Sequence, residues 1–296
     1  MHENLYFKEA KKVTFAGIII NLILVFLKTF VGIIGKSSAL LADGIHSLSD
    51  LSSDFIVLLG IKLSSKPSDR EHKYGHGKYE TFGNFALGVI LFFAGIEILY
   101  SSLLKFFSVL KGKLIEVPAW SALIVAIISV LLKAIIFLYT ISVGKRIKSS
   151  ILVANAYHHL SDSISSVVVI LGILGSKLLP SSWRFLDPFA AIILSFLIIG
   201  LSLRIVKDSF DELVEKSIGE EKEEKILSII KSVKGVKSPH KLRTRKIGNF
   251  IAIDVHIRVR KELNIEQAHE IATNVEKELK RKFYDKIFVN IHIEPF

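Results

Sequence analysis

Two ten-residue windows decide the fold: Leu41-Ala42-Asp43-Gly44-Ile45-His46-Ser47-Leu48-Ser49-Asp50 and Val153-Ala154-Asn155-Ala156-Tyr157-His158-His159-Leu160-Ser161-Asp162. They share Ala, His, Leu, Ser and Asp at matching places, and the second follows the first at an offset of 112 residues. In each, a His and an Asp four apart project from one helical face. Both windows lie in long apolar runs, where a charged side chain is costly and marks a functional site by default. With three spans per half, the repeat predicts two halves of inverted topology.

The rest of the chain supports this reading. Half of the 296 residues are apolar, and the mean hydropathy is +0.47. Stretches of about 20 apolar residues, enough to cross a bilayer, fall at 13–34, 38–63, 80–109, 117–143, 150–178 and 187–207. From 211 onward Asp, Glu, Lys and Arg become dense and no later run can span. The expected fold is a membrane all-α domain of six transmembrane helices at 1–210, a three-plus-three inverted repeat. A small α+β cytoplasmic domain follows at 211–296.

The net charge of +11 is compatible with nucleic-acid binding, but its distribution argues otherwise. Residues 211–296 hold 18 Lys+Arg against 15 Asp+Glu, so most of the excess flanks the membrane spans. By the positive-inside rule it anchors orientation. Eleven Lys and Arg in the odd-side segments against six in the even-side loops predict both termini in the cytosol. The first span has no small-residue cleavage site, so no cleavable signal peptide is expected. There are no cysteines, so any metal ligand is nitrogen or oxygen.

His46 and Asp50 together with His158 and Asp162 offer two imidazoles and two carboxylates, the number a tetrahedral zinc ion takes. Asp162 lies about 12 residues into its span, or ~18 Å at 1.5 Å per residue, near the middle of the hydrocarbon. Gly44, Ser47, Ser49, Ala154, Ala156 and Ser161 are small enough for the two helices to approach closely. Lys28, Lys133 and Glu97 also lie in spans and read as interhelical pairs or snorkelling side chains.

Between spans two and three, Asp69, His72 and His76 are spaced so that even a distorted helical turn could aim all three at one ion; the other reading of the spacing is a polar connector whose histidines only hydrogen-bond. In the C-terminal domain, 219–233 and 264–282 have helical periodicity, with Ile265, Ala268, Ile271, Ala272, Val275 and Leu279 inward on the second helix. Strands are expected at 240–247, 250–260 and 286–294, the first two turning at Gly248-Asn249. The order αββαβ predicts a small open sheet with helices on one face. His240, His256, His269, His292 and Glu294 are its candidate ligands. Lys241, Arg243 and Arg245 read as a solvated or lipid-facing edge, because no aromatic platform for a nucleic acid accompanies them.

With the loop Asp69-x-x-His72-x-Tyr74-Gly75-His76-Gly77-Lys78-x-Glu80, the two His–Asp pairs and Gly235-Val-x-x-x-His240-x-Leu-Arg-Thr-Arg245, nearly the whole chain resembles a cation diffusion facilitator of the bacterial zinc and ferrous-iron efflux branch. The resemblance implies a homodimer that exports a divalent cation, Zn²⁺ first and Fe²⁺, Cd²⁺ or Mn²⁺ after it, against protons, with no enzymatic activity. It implies a transport site at His46, Asp50, His158 and Asp162 and a loop site at Asp69, His72 and His76. It also implies regulatory zinc bridging the dimer through His240, His256, His269, His292 and Glu294. Relatives pair the loop lysine, here Lys78, with an acid after span six; Glu215 fits better than Asp211. A membrane protein that senses metal and docks partners without transporting is the alternative reading.

Overall fold

The structure is a computed structural model that describes residues 2–49, 51, 69–146, 150–248, 250–283 and 287–296, without the side chains of 2–11, 150, 151 and 154. Its helices are α1 (His2–Ile34), α2 (38–49, with Leu51 also helical), α3 (Lys78–Leu110), α4 (Trp120–Arg146), α5 (Ser150–Leu178) and α6 (Leu186–Leu213). Then come α7 (Glu220–Ser232), β1 (Lys237–Ile247), β2 (Phe250–Val259), α8 (Ile265–Phe283) and β3 (Ile287–Pro295). Five described helical segments are long and apolar enough to cross a membrane. The sixth expected span, 38–63, lies partly outside the described residues.

The chain forms two compact units. The first holds residues 1–55 and 87–204. Its core is built from small and branched side chains: Ala39, Leu40, Ala42, Ala122, Ala126, Val169, Ile173, Ala190, Ala191, Leu194 and Ile198. Phe26, Phe93, Leu131, Leu171 and Phe196 point outward, a surface suited to hydrocarbon rather than water. Ser37 starts α2, its Oγ accepting from the Leu40 amide at 3.1 Å. Asp187 of α6 completes the cap, accepting from Ser37 Oγ at 2.6 Å and the Ser38 amide at 2.8 Å. Gly44 serves a different contact from the one expected. A Cβ there would lie 2.9 Å from the Thr29 amide nitrogen, so this glycine lets α2 approach α1 rather than α5.

The second unit holds residues 56–86 and 205–296. Its sheet has the order β1-β2-β3, with β1 antiparallel and β3 parallel to β2. Ile253, Val255, Ile257 and Val259 alternate along β2 and pack with Ile226 and Ile230 of α7 and Val275 and Leu279 of α8. Ile265 is not inward as its spacing suggests. It opens α8 and is 86 % exposed, and the core contacts of that helix begin at Ala268.

The loop before α3 belongs to this unit and meets the β1–β2 turn backbone to backbone. A Cβ on Gly77 would sit 2.7 Å from the Ile247 carbonyl oxygen, and Gly248 has φ +59°. Glu212 ties the same place together, accepting from Thr81 Oγ1 at 2.7 Å and the Gly248 amide at 2.9 Å.

Candidate metal centres

On α5, His158 and Asp162 share a face, with Nδ1 and Oδ1 3.9 Å apart. Asp162 is buried, whereas the His158 side chain is half exposed. On α2, Nδ1 of His46 is buried with no hydrogen-bond partner among the described residues. Asp50 lies outside the described residues. His46, His158 and Asp162 are not gathered round one point, in contrast to the two clusters described below.

The lysines in the spans do not snorkel. Both are buried in interhelical ion pairs, and the two pairs differ. Lys28 of α1 is 2.7 Å from Asp43 of α2 and donates to Ser47 at 3.1 Å and to Ser166 of α5 at 3.2 Å. Ser166 in turn donates to Asp43 at 2.8 Å, so all three ammonium hydrogens have acceptors. Lys133 of α4 meets Asp162 at 3.1 Å, its one ion-pair partner among the described residues. Neither partnership was visible from spacing, since each joins different helices. The hint in the sequence was the position of Lys28 and Lys133 inside apolar runs, which suggested interhelical pairs without naming the partners. His159 is also absent from the candidates. It is 4 % exposed, and neither ring nitrogen has a hydrogen-bond partner among the described residues.

The loop converges without becoming helical. Asp69 Oδ1 accepts from the His72 amide at 2.6 Å and the Glu71 amide at 3.0 Å, which folds the loop about the carboxylate. His72 Nδ1 comes within 3.4 Å of Asp69 Oδ1, and His76 Nε2 within 3.3 Å of Oδ2. The amide of His72, then that of Glu71 and the nearby imidazoles, hold the Asp69 carboxyl below the usual carboxylate range. The turn is made by side-chain capping of the backbone, and Gly75 at φ 79° reverses the chain before His76. The result is one carboxylate and two imidazoles within reach of one ion.

Lys78 opens α3 and donates to Glu215 at 3.0 Å, which holds Glu215 below its usual range; Asp211 pairs with Lys216 instead. Arg245 approaches Glu215 at 3.7 Å and Asp254 at 3.4 Å. This part of the basic strand is therefore ion-paired rather than a free edge.

On the sheet, His240, His256 and His292 stand in one row, paired in register across β1, β2 and β3. They lie on the face opposite the helices, because His256 alternates with the core residues Val255 and Ile257. Two register shifts flank His240, and Ser238 and Lys241 have positive φ. These bulges re-aim His240 toward Glu294. Glu294 Oε1 is 2.8 Å from His256 Nδ1, and Oε2 is 3.2 Å from His240 Nε2. The His292 ring is 4.5 Å from that of His256, centre to centre. His240, His256 and Glu294 form a three-ligand cluster with His292 beside it. His269 is on the exposed side of α8 and does not join them.

The hydrogen bond from His256, reinforced by His240 and Lys241, holds Glu294 down from 4.5 to about 2. Because the folded value is depressed, the stability this pairing supplies is complete above pH ~4.5 and is lost as pH falls toward ~2. A carboxylate NMR titration of the metal-free protein, assigned with Glu294→Gln, should place the Glu294 midpoint far below that of the other glutamates. A midpoint in the ordinary range would contradict the pairing.

Comparison with known proteins finds two family models that match this chain. Residues 14–214 match the cation efflux transmembrane domain, and residues 218–296 match the cytoplasmic domain of cation efflux proteins. The chain is 36 % identical over 291 residues to the manganese efflux system protein MneP of Bacillus subtilis, covering 97 % of this chain and 96 % of that protein. It is 32 % identical over 300 residues to metal tolerance protein C1 of Arabidopsis thaliana, covering 97 % of this chain and 63 % of that protein. With the magnetosome protein MamM of Magnetospirillum gryphiswaldense it shares 31 % identity over 268 residues, covering 90 % and 82 % of the two chains.

Proposed function

Since the chain belongs to the cation efflux family of divalent-metal transporters, we propose that it is a proton-coupled exporter of Zn²⁺, working as a homodimer in the plasma membrane with both termini in the cytosol. The observation that carries this reading is the buried Asp162 carboxylate, set in a membrane span on the same helical face as His158. A transporter needs such a group to replace the water an ion sheds. His46 and Asp50 of the matching window complete the donor set, two nitrogens and two oxygens, which suits zinc. Imidazole ligands must be neutral to bind, so metal entry releases protons and acid expels metal.

The loop cluster of Asp69, His72 and His76 receives a second ion. The sheet cluster of His240, His256, His292 and Glu294 receives regulatory zinc, and His269, free of that cluster, is presented to a second copy of the chain. The Lys78–Glu215 pair holds the start of α3 to the cytoplasmic domain. The two domains of this reading are 1–210 for transport and 211–296 for metal-dependent dimerisation.

Manganese is a second reading of the cargo, favoured by the identity to MneP. The test is metal loading of sealed vesicles with the cytoplasmic face outward. An acid-inside gradient should accelerate zinc uptake, and collapsing the gradient should abolish the acceleration. Competition by excess Mn²⁺ ranks the cargoes. Zinc binding without uptake would instead support a sensor.

A further inference from the structure

The two buried lysines invite comparison, because they are built differently. Lys28 is saturated: one carboxylate and two hydroxyls occupy its three hydrogens, and the group joins α1, α2 and α5. That is a structural clamp. Lys133 is 1 % exposed in its side chain and meets one described partner, Asp162, whose side chain is 5 % exposed. No hydroxyl or carbonyl among the described residues completes its coordination. Among the described residues the pair thus rests on this single charge-assisted contact, on the carboxylate assigned above to the transported ion.

We propose that Lys133 is an internal counter-ion. Its ammonium occupies the Asp162 carboxylate when cargo is absent, is displaced when the metal arrives, and returns when the metal leaves. This rests on the assignment of Asp162 to the transport site. An exporter must bring its metal-free site back across the membrane in every cycle, and the protons it carries then sit on imidazoles, of which His158 stands 3.9 Å from Asp162 against 3.1 Å for Lys133. An unpaired carboxylate at that depth would make the return step slow, since a lone buried charge is costly. A tethered cation removes the cost, yet it yields to a divalent ion that also engages His158 and the ligands of α2. The same competition weakens metal binding, which favours release. Lys28 cannot play this part, because leaving Asp43 would break three contacts at once.

The experiment uses full-length Lys133→Gln and Lys133→Met in proteoliposomes. Two fluxes are compared: net zinc transport down a proton gradient, and exchange of labelled for unlabelled zinc with metal on both sides. Exchange never requires an empty site to return. Net flux should fall by about tenfold or more while exchange stays within about twofold of the parent protein, and zinc affinity should tighten by about tenfold (equivalent to ~1.4 kcal/mol). Unchanged net flux would overturn the proposal, as would an equal loss of both fluxes. If neither variant can be purified folded, Lys133 belongs to the scaffold and the proposal also fails. Asp162→Asn run alongside separates the two readings. If it transports normally, the site assignment is wrong; if it is inactive while Lys133 variants lose both fluxes together, only the counter-ion idea falls.

Discussion

Asp162→Ala should reduce zinc flux to that of protein-free vesicles, a loss of at least about a hundredfold. Two effects act together. The ion loses a charged ligand at a depth where water cannot replace it. Lys133 then keeps an unpaired charge, and stranding one member of a buried pair costs about 3–5 kcal/mol. Asp162→Asn keeps the shape of the side chain and separates lost ligation from lost stability: transport should vanish in both, whereas the thermal midpoint should drop further with Ala. Asp50→Ala should match it in flux, as the equivalent residue of the other repeat. Near-normal zinc flux in a folded Asp162 or Asp50 variant would remove the membrane site from this account. His158→Ala, at a half-exposed position, should be milder.

The second large effect belongs to the sheet. Replacing His240 and His292 together by Ala should abolish activation by zinc while leaving basal flux through the membrane site. The row of three imidazoles loses both ends, and Glu294 loses one of the two imidazoles it faces. Zinc bound only by the assembled dimer stabilises it by RT ln(1 + [L]/Kd), about 2.7 kcal/mol at a hundredfold excess over Kd. That shifts a balanced two-state equilibrium by roughly a hundredfold. The measurements are dimer dissociation by analytical ultracentrifugation with and without zinc, and initial transport rate against free zinc. Activation that persists unchanged in the double variant would mean the cluster is not the regulatory site.

Much of this molecule was legible because its signals are periodic. Runs of apolar residues marked the spans, and helix and strand periods in the last 86 residues gave αββαβ with boundaries within a few residues of those observed. The histidine row was half legible. His256 and His292 alternate with core residues, so their shared face followed from the strand period. His240 did not, because two bulges at Ser238 and Lys241 interrupt the alternation and neither position is a glycine or asparagine that would announce a positive φ. The loop triad was found by spacing, but its geometry comes from Asp69 capping the backbone rather than from a helical turn. For the buried ion pairs, interhelical pairing of Lys28 and Lys133 was one of two readings, but their partners were not legible. Lys28 with Asp43 and Lys133 with Asp162 depend on which helices lie side by side, and hydropathy does not carry that information. Asp187 reaching the start of α2 from α6 is a third case of the same kind.

The row of imidazoles across the sheet also has a bearing on how the domain folds. A slip of one residue in the pairing of any strand would turn its histidine to the side covered by α7 and α8 and its isoleucines to water. Such a misthreaded sheet would keep most of its backbone bonds, so hydrogen bonding alone discriminates weakly against it. It would, however, present an incomplete set of ligands. On the proposed assignment of these ligands, metal would reward only the correctly threaded chain, and the ion would proofread strand alignment before it regulates.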